Sequence, residues 1–180
     1  MRVITGTARG RRLNELKGKE TRPTTDRVKE GIFNIIQFDI EGRRVLDLFG
    51  GTGQLGIECL SRGAAHATFV DARTDAVKLI RENLALTALA NRATVLTADY
   101  ATVLSGAVEK YDLVFLDPPY ETKLLERSLE LISQFDILRE HGIIICESPQ
   151  EKSLPDLSAP YGKYREYRYG KIKVTVYHRD

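Results

Sequence analysis

The stretch Val45-Leu-Asp-Leu-Phe-Gly-Gly-Thr-Gly-Gln-Leu-Gly56 constrains this 180-residue chain more than any other. Val45, Leu46 and Leu48 form the apolar run of a strand covered on both faces. Gly50, Gly51 and Gly53 then permit a turn whose backbone a ligand can approach closely. Gly56 falls in the first turn of the next helix, where a missing side chain allows tight packing on the strand. The unit reads as strand, glycine turn, helix: the opening of a parallel α/β sheet, with a turn able to hold a cofactor.

Three cofactor classes compete for that turn. A phosphate-cradling nucleotide loop needs Gly-Lys-Ser/Thr at its end, and here Ile57 follows Gly56. Gly51-x-Gly53-x-x-Gly56 matches the dinucleotide fingerprint, and Asp71 lies where a ribose-binding acid would sit. Asp47 speaks against that reading, because a carboxylate at the strand end would repel a pyrophosphate. S-adenosylmethionine has no phosphate and carries an ammonium and a sulfonium. An acid at the strand end suits it.

The rest of the chain alternates strands and helices. Thr24 or Thr25 caps a helix running to about Phe38, with Val28, Ile32, Ile35 and Ile36 at helical spacing. Strands are expected at 66–70, 93–97, 111–116 and 142–146, with helices at 75–86 and 124–135. This pattern implies a mostly parallel, Rossmann-like sheet with helices on both faces. Tyr164–Tyr169 and Lys171–His178 read as a C-terminal antiparallel hairpin. Its Ile172, Val174 and Val176 point inward, as in an edge pair. Counting the hairpin, seven strands are expected. A small N-terminal β extension, Val3–Thr5 pairing with Arg12–Leu16, completes the fold. The expected division is a basic extension at 1–22 and a cofactor-binding domain at 23–180, together one compact unit.

The strands close on acids. Asp47, Asp71, Asp99 and Asp117 each follow a different apolar run, and ligands of open parallel sheets bind at the carboxyl ends of strands. Asp71 can accept two ribose hydroxyls, and Asp99 can accept from an adenine amino group. Helix capping is the competing role, and for Asp99, which precedes Tyr100-Ala-Thr, it stays open.

Charge is unevenly spread. The chain carries a formal net charge of +2, yet residues 1–22 hold seven basic residues against Glu15 and Glu20, a balance of +5. Arg9, Arg11, Arg12, Lys17 and Lys19 therefore form a candidate surface for a polyanion such as RNA. No apolar run approaches the ~20 residues needed to span a bilayer. The start lacks the apolar segment of a signal peptide. Cys59 and Cys146 belong to no metal or disulfide motif, so no metal is expected and a cytoplasmic location is.

Leu113-Val-Phe-Leu-Asp-Pro-Pro-Tyr120 is the second strong signal. An exocyclic base amine is a poor nucleophile, because its lone pair is delocalised into the ring. Two acceptors aimed at its hydrogens can hold it while the nitrogen becomes tetrahedral. Asp117 supplies a carboxylate and Pro118 a carbonyl, which Pro118 and Pro119 preorganise by fixing the backbone. Tyr120 offers a face on which an extruded base can stack, a task that needs the ring and not the hydroxyl.

Asp-Leu-Phe-Gly-Gly-Thr-Gly paired with Asp-Pro-Pro-Tyr resembles class I S-adenosylmethionine-dependent amino-methyltransferases. Arg22-Pro-Thr-Thr-Asp-Arg-Val-Lys-Glu-Gly-Ile-Phe-Asn34, the start Met-Arg-Val-Ile-Thr-Gly, and Leu55-Gly-Ile-Glu-Cys-Leu-Ser-Arg-Gly63 narrow this. Together they resemble the bacterial RsmD family, which methylates a guanine 2-amino group in 16S ribosomal RNA. The resemblance covers nearly the whole chain. It implies cofactor contacts from Arg22, Thr24 and Thr25, from Asp47, Phe49, Gly50, Gly51, Thr52 and Gly53, and from Asp71, Asp99 and Tyr100. It implies target contacts from Asp117, Pro118, Pro119 and Tyr120. The partner implied is 16S ribosomal RNA or a small-subunit assembly particle, met by a monomer. Asp71 stands where the family pattern has Glu, and the shorter acid is expected to reach the ribose. Two rivals remain. A DNA adenine methyltransferase shares Asp-Pro-Pro-Tyr but usually adds a target-recognition domain, for which 180 residues leave little room. A non-catalytic RNA-binding module with a vestigial cofactor site would not need Asp117–Tyr120.

Overall fold

The computed structural model describes residues 1–18 and 24–180. Its elements run α1 (Asp26–Ile35), β1 (Arg44–Asp47), α2 (Gln54–Ser61), β2 (His66–Asp71), α3 (Thr74–Leu86), β3 (Ala93–Thr97), α4 (Tyr100–Ser105), β4 (Tyr111–Leu116), α5 (Leu124–Gln134), β5 (Leu138–Pro149), β6 (Tyr161–Tyr169) and β7 (Ile172–Arg179). The seven strands form one sheet in the order β3-β2-β1-β4-β5-β7-β6. Strands β1 to β5 pair in parallel, while β7 runs antiparallel to both β5 and β6. Strand order reverses between β1 and β4, so a crevice opens there at the carboxyl ends.

Each face of the sheet carries its own core. On one, Val28, Ile32 and Phe33 of α1 pack with Ile57 and Leu60 of α2, Ile80 and Leu84 of α3, and Val3, Ala8 and Leu13 of the N-terminal segment. On the other, Leu125, Leu129 and Ile132 of α5 and Leu104 of α4 pack on Leu46, Val114 and Ile144. Strands β1, β2 and β4 are apolar without alternation because helices cover both faces; β4 is buried at every position. Each such fully buried Leu, Ile or Phe contributes about 1.5–3 kcal/mol.

Two expectations change in detail. The N-terminal β pairing shrinks to a single antiparallel bridge, Arg2 to Arg12. Around it Val3 N donates to the Arg11 carbonyl and Leu13 N to the Met1 carbonyl, while the 4–7 stretch turns to α2: Ile4 N and Thr5 N donate to the Glu58 carboxylate, and Thr7 N donates to the Ser61 carbonyl. The hairpin forms the expected antiparallel pair at the sheet edge, with β6 outermost, but its inner strand is buried on both faces. β7 lies between β5 and β6, and Lys173, Thr175 and Tyr177 are as buried as Ile172, Val174 and Val176. The 150–160 segment covers the second face. Tyr177 Oη donates to the Pro155 carbonyl at 2.8 Å, and Leu154 is buried there.

Candidate active site

The glycine turn is built as its sequence demands. Gly50 N donates to the Val70 carbonyl at 2.8 Å, tying the turn to β2, and Gly53 N donates to the Gly50 carbonyl at 2.7 Å. Gly53, at φ 81°, is the residue before α2, a left-handed conformation that a side chain would strain. At Gly56, a Cβ would lie 2.3 Å from the Phe69 ring, so α2 meets β2 only because that residue is glycine.

Asp71 shapes this turn from β2. Its Oδ2 accepts from Gly51 N at 3.0 Å and its Oδ1 from Arg73 N at 2.9 Å. Each carboxylate oxygen keeps a further lone pair for a hydroxyl. Thr52 is held from the other side: its carbonyl accepts from Asn83 Nδ2 at 2.9 Å. The rings of Phe49 and Tyr100 meet at 5.6 Å beside it. Asp99 caps α4, its Oδ1 accepting from Ala101 N at 2.9 Å and from Thr102 N at 3.4 Å. The capping role left open for Asp99 is therefore present.

Asp47 is the electrostatic centre of the turn. It is 2% exposed and accepts from Gly56 N at 3.2 Å. Burial pushes its carboxyl up to about 7, the Gly56 bond opposes this, and the charge of Asp71 adds to it. Close by, Gln54 Oε1 is buried without a hydrogen-bond partner. A buried acid and an unsatisfied acceptor call for a cationic, proton-donating ligand. The ammonium and sulfonium of S-adenosylmethionine meet that demand, and a pyrophosphate does not.

Across the crevice, Asp117 follows β4 and Glu147 lies on β5. Thr24 Oγ1 sits between them, 3.1 Å from Asp117 Oδ2 and 2.9 Å from Glu147 Oε2. The hydroxyl has one proton, so it donates to one carboxylate and can accept from the other only if that one is protonated. Burial raises the Asp117 carboxyl well above the usual carboxylate range. The charge of Glu147 adds to this, the Thr24 bond opposes it, and Asp47 adds a little more. Tyr120 Oη donates to Glu147 Oε1 at 2.5 Å. That corrects the expectation of an idle hydroxyl: Tyr120 presents its ring while its hydroxyl anchors Glu147.

Helix α1 delivers Thr24 to this pair. Thr25 Oγ1 caps the helix, accepting from Val28 N. Thr24, expected beside the cofactor, is thus seated on the acid pair, and Thr25 is spent on the helix. Arg22 and Lys19 lie outside the described residues. Arg9, Arg11, Arg12 and Lys17 are all exposed, on a segment sewn to the core.

Three contributions escaped the sequence reading. Glu147 is the first; its only signal was that the fifth apolar run, like the others, closes on an acid. Asn83 is the second: Asn14 N donates to its Oδ1 at 2.7 Å, so one buried amide joins the N-terminal segment to the glycine turn. The third is the buried ion pair of Lys29 and Glu58, 3.1 Å apart, with Lys29 Nζ also donating to the Arg2 carbonyl. Burial lowers the Lys29 ammonium, and the Glu58 charge opposes that. No spacing along the chain announces either contact. Among the described residues, no group of three His, Cys, Asp or Glu is arranged to hold a metal ion.

Parallel strands reversing between β1 and β4, with an antiparallel β7 inserted beside β5, make this a class I, Rossmann-like methyltransferase fold. The family model described as conserved hypothetical protein 95 matches residues 1–178, and the chain belongs to that family. Among similar proteins, Escherichia coli ribosomal RNA small subunit methyltransferase D is 35% identical over all of this chain and 90% of its own length. A Bacillus subtilis protein, YlbH, named provisionally as an rRNA methyltransferase, is 41% identical over 98% of each chain. A solved Escherichia coli structure, yhhF, described as a candidate methyltransferase, superposes with a TM-score of 0.90 at 34% identity, covering 100% of this chain and 98% of its own.

Proposed function

We propose that this protein transfers a methyl group from S-adenosylmethionine to the exocyclic 2-amino group of a guanine in small-subunit ribosomal RNA. The observation that carries the reading is the Asp117–Thr24–Glu147 cluster beside the glycine turn, at the point where strand order reverses. The similarity to small subunit methyltransferase D supports the RNA class.

Asp47, the 50–53 turn and Gln54 hold the cationic end of the cofactor, Asp71 its ribose, and Phe49, Asp99 and Tyr100 its adenine. Bound there, S-adenosylmethionine supplies a methyl already activated on a sulfonium sulfur, so no metal is required. Asp117 and the Pro118 carbonyl each accept one hydrogen of the target amine. Their pull keeps the nitrogen lone pair available as the N–C bond forms and the C–S bond breaks. The amine proton becomes acidic only after transfer and passes to Asp117. Pro119 fixes the turn, and the Tyr120 ring stacks on the extruded guanine. Thr24 and Glu147 hold Asp117 in place. An arriving cation and the amine N–H that Asp117 accepts both favour its ionised form, offsetting its raised value.

Residues 1–22 act as an RNA-gripping extension of the domain at 23–180, with Arg9, Arg11, Arg12, Lys17 and Lys19 on phosphates. On this reading the enzyme works as a monomer in the cytoplasm. The test is incubation of methyl-labelled cofactor with undermodified 16S RNA, with small-subunit particles and, separately, with DNA, followed by nucleoside analysis. Label in N2-methylguanosine is expected. Label in N6-methyladenine of DNA would establish the adenine rival, and tight cofactor binding without transfer to any RNA would establish a vestigial site.

A further inference from the structure

We propose that the groove between α1 and β6 binds the single-stranded RNA flanking the target nucleotide, with the Tyr167 ring as a base-stacking platform. The inference rests on the RNA reading above and adds a site that reading does not use. The groove is open to solvent and offers about 580 Å³, and its lining includes Arg27, Gly31 and Asn34 of α1 and Tyr167 and Tyr169 of β6. That volume falls in the range of ligand sites, roughly 300–1,000 Å³.

Strand register sets which side chains face the groove. Arg165, Tyr167 and Tyr169 pair with Val176, Val174 and Ile172, so they share the sheet face on which α1 packs. Tyr169 lies against the helix at Gly31, where a Cβ would come within 2.5 Å of its ring. That packing leaves Tyr169 as the groove's wall and the half-buried Tyr167 as its accessible face. The Arg165 guanidinium is 6.0 Å from the Tyr167 ring and 5.6 Å from that of Tyr164, which is itself stacked on His178 at 4.4 Å. Aromatic faces interleaved with guanidinium groups are the usual platform for unpaired bases, because every base has a π-face.

Charge and position select RNA over a protein partner. On the α1 side the site presents Arg27 and Arg165, with Lys171 in the β6–β7 turn, while Lys163, Glu166 and Arg168 pair with Tyr177, Thr175 and Lys173 and so share the opposite face, where Lys163 meets Asp156 and Glu166 meets Lys173. The acid Glu30 also lines the groove and can accept from a base amine. The β6–β7 turn lies at the carboxyl edge of the sheet: Ile172 pairs with Tyr169 on one side and with Pro149, two residues past Glu147, on the other. Helix α1 begins at the same mouth, where Thr24 touches Asp117. RNA with its target base at Asp117 therefore finds this cationic, aromatic groove at the next position along the rim. An extruded base leaves its neighbours unstacked, and Tyr167 gives one of them a surface.

The experiment compares wild-type protein with Tyr167→Ala, Tyr167→Leu, Tyr167→Phe and Arg165→Gln. Leu preserves apolar packing while removing the ring, and it guards against a fold defect in the Ala variant. Binding is read by anisotropy of a short, labelled single-stranded RNA, transfer by KM on undermodified 16S RNA, and cofactor binding by calorimetry. Loss of a stacked base weakens RNA binding roughly 5- to 150-fold. That loss is expected in the Ala and Leu variants and absent in Phe, with KM raised and cofactor affinity unchanged. Arg165→Gln should weaken binding and flatten its salt dependence. Wild-type RNA affinity and KM in both Ala and Leu variants would overturn the proposal while leaving guanine methylation intact. So would a defect seen only on protein-containing particles, which would make the groove a docking face for a ribosomal protein. Conversely, if the wild type binds RNA through Tyr167 but methylates no guanine, the proposed reaction fails and the groove stands.

Discussion

Replacing Asp47 with Asn should make the protein more stable and less able to bind its cofactor. Asp47 is 2% exposed, and among the described residues its hydrogen-bond donor is Gly56 N. Asn is isosteric, and its Oδ1 can accept the same hydrogen bond. What changes is the cost of burying a charge. The folded carboxyl titrates at about 7, against 3.8 for the ordinary group. The gap is about 3 pH units, each worth 1.36 kcal/mol, so ionising Asp47 in the free protein costs about 4 kcal/mol at most. The sign follows from proton counting. Between pH 3.8 and about 7 the folded chain holds a proton that the unfolded chain has lost. Stability therefore falls as pH rises through this window and levels off above it. The Asn variant lacks that slope. The two proteins should match near pH 4, and by pH 8 the variant should lead by about 2–4 kcal/mol, allowing for relaxation around the charge. In a chain of this size that is roughly 5–15 °C in Tm. Urea unfolding across this pH range, with and without S-adenosylmethionine, measures both sides. The cofactor should stabilise the wild type markedly and the variant little, because its cation no longer meets a carboxylate. An Asn variant with the wild-type pH dependence, or with undiminished cofactor affinity, would refute the reasoning.

Glu147→Gln should shift the acid limb of the transfer rate to lower pH, since the Glu147 charge helps raise the Asp117 carboxyl; an unmoved limb in single-turnover assays would remove Glu147 from the site. Asp71→Ala should weaken S-adenosylmethionine and its demethylated product alike, by about 1.5–3 kcal/mol for a charged acceptor. Calorimetry that finds neither weakened would leave Asp71 as a support for Gly51 N and Arg73 N alone. Changing Arg9, Arg11 and Arg12 together to Gln should lower the slope of log RNA affinity against log salt by about 2, at ~0.7 per phosphate contact. An unchanged slope would make the segment a structural edge, and cofactor affinity serves as the control. Lys29→Met leaves Glu58 buried without its ammonium, so urea denaturation should show a loss of about 3 kcal/mol; a negligible change would mean that Ile4 N, Thr5 N and Arg62 satisfy Glu58 unaided.

By itself the sequence determined the local units and the chemistry each could bear. Glycine at 50, 51, 53 and 56 after Val45–Leu48 specified a strand, a ligand-accessible turn and a close-packed helix, because those backbone and packing limits belong to single residues. The apolar runs ending at Asp47, Asp71 and Asp117 marked the carboxyl edge of a parallel sheet. Asp-Pro-Pro-Tyr named an acceptor pair and a stacking ring within four consecutive positions. Tertiary structure decided everything that depends on distance between segments remote in the chain. Thr24 and Asp117 are separated by 93 positions and Thr24 and Glu147 by 123, and only the β4–β5 pairing and the seat of α1 bring their oxygens within 3.1 Å. The same holds for Asn83, which spans 69 positions to reach Asn14. Burial was likewise decided by the fold. A strand pattern shows that Lys173, Thr175 and Tyr177 share a face, but only the 150–160 segment laid over that face makes it interior. Asp47 was legible as an acid suited to a cation, while its titration near 7 arises from the desolvation that the assembled sheet and α2 impose.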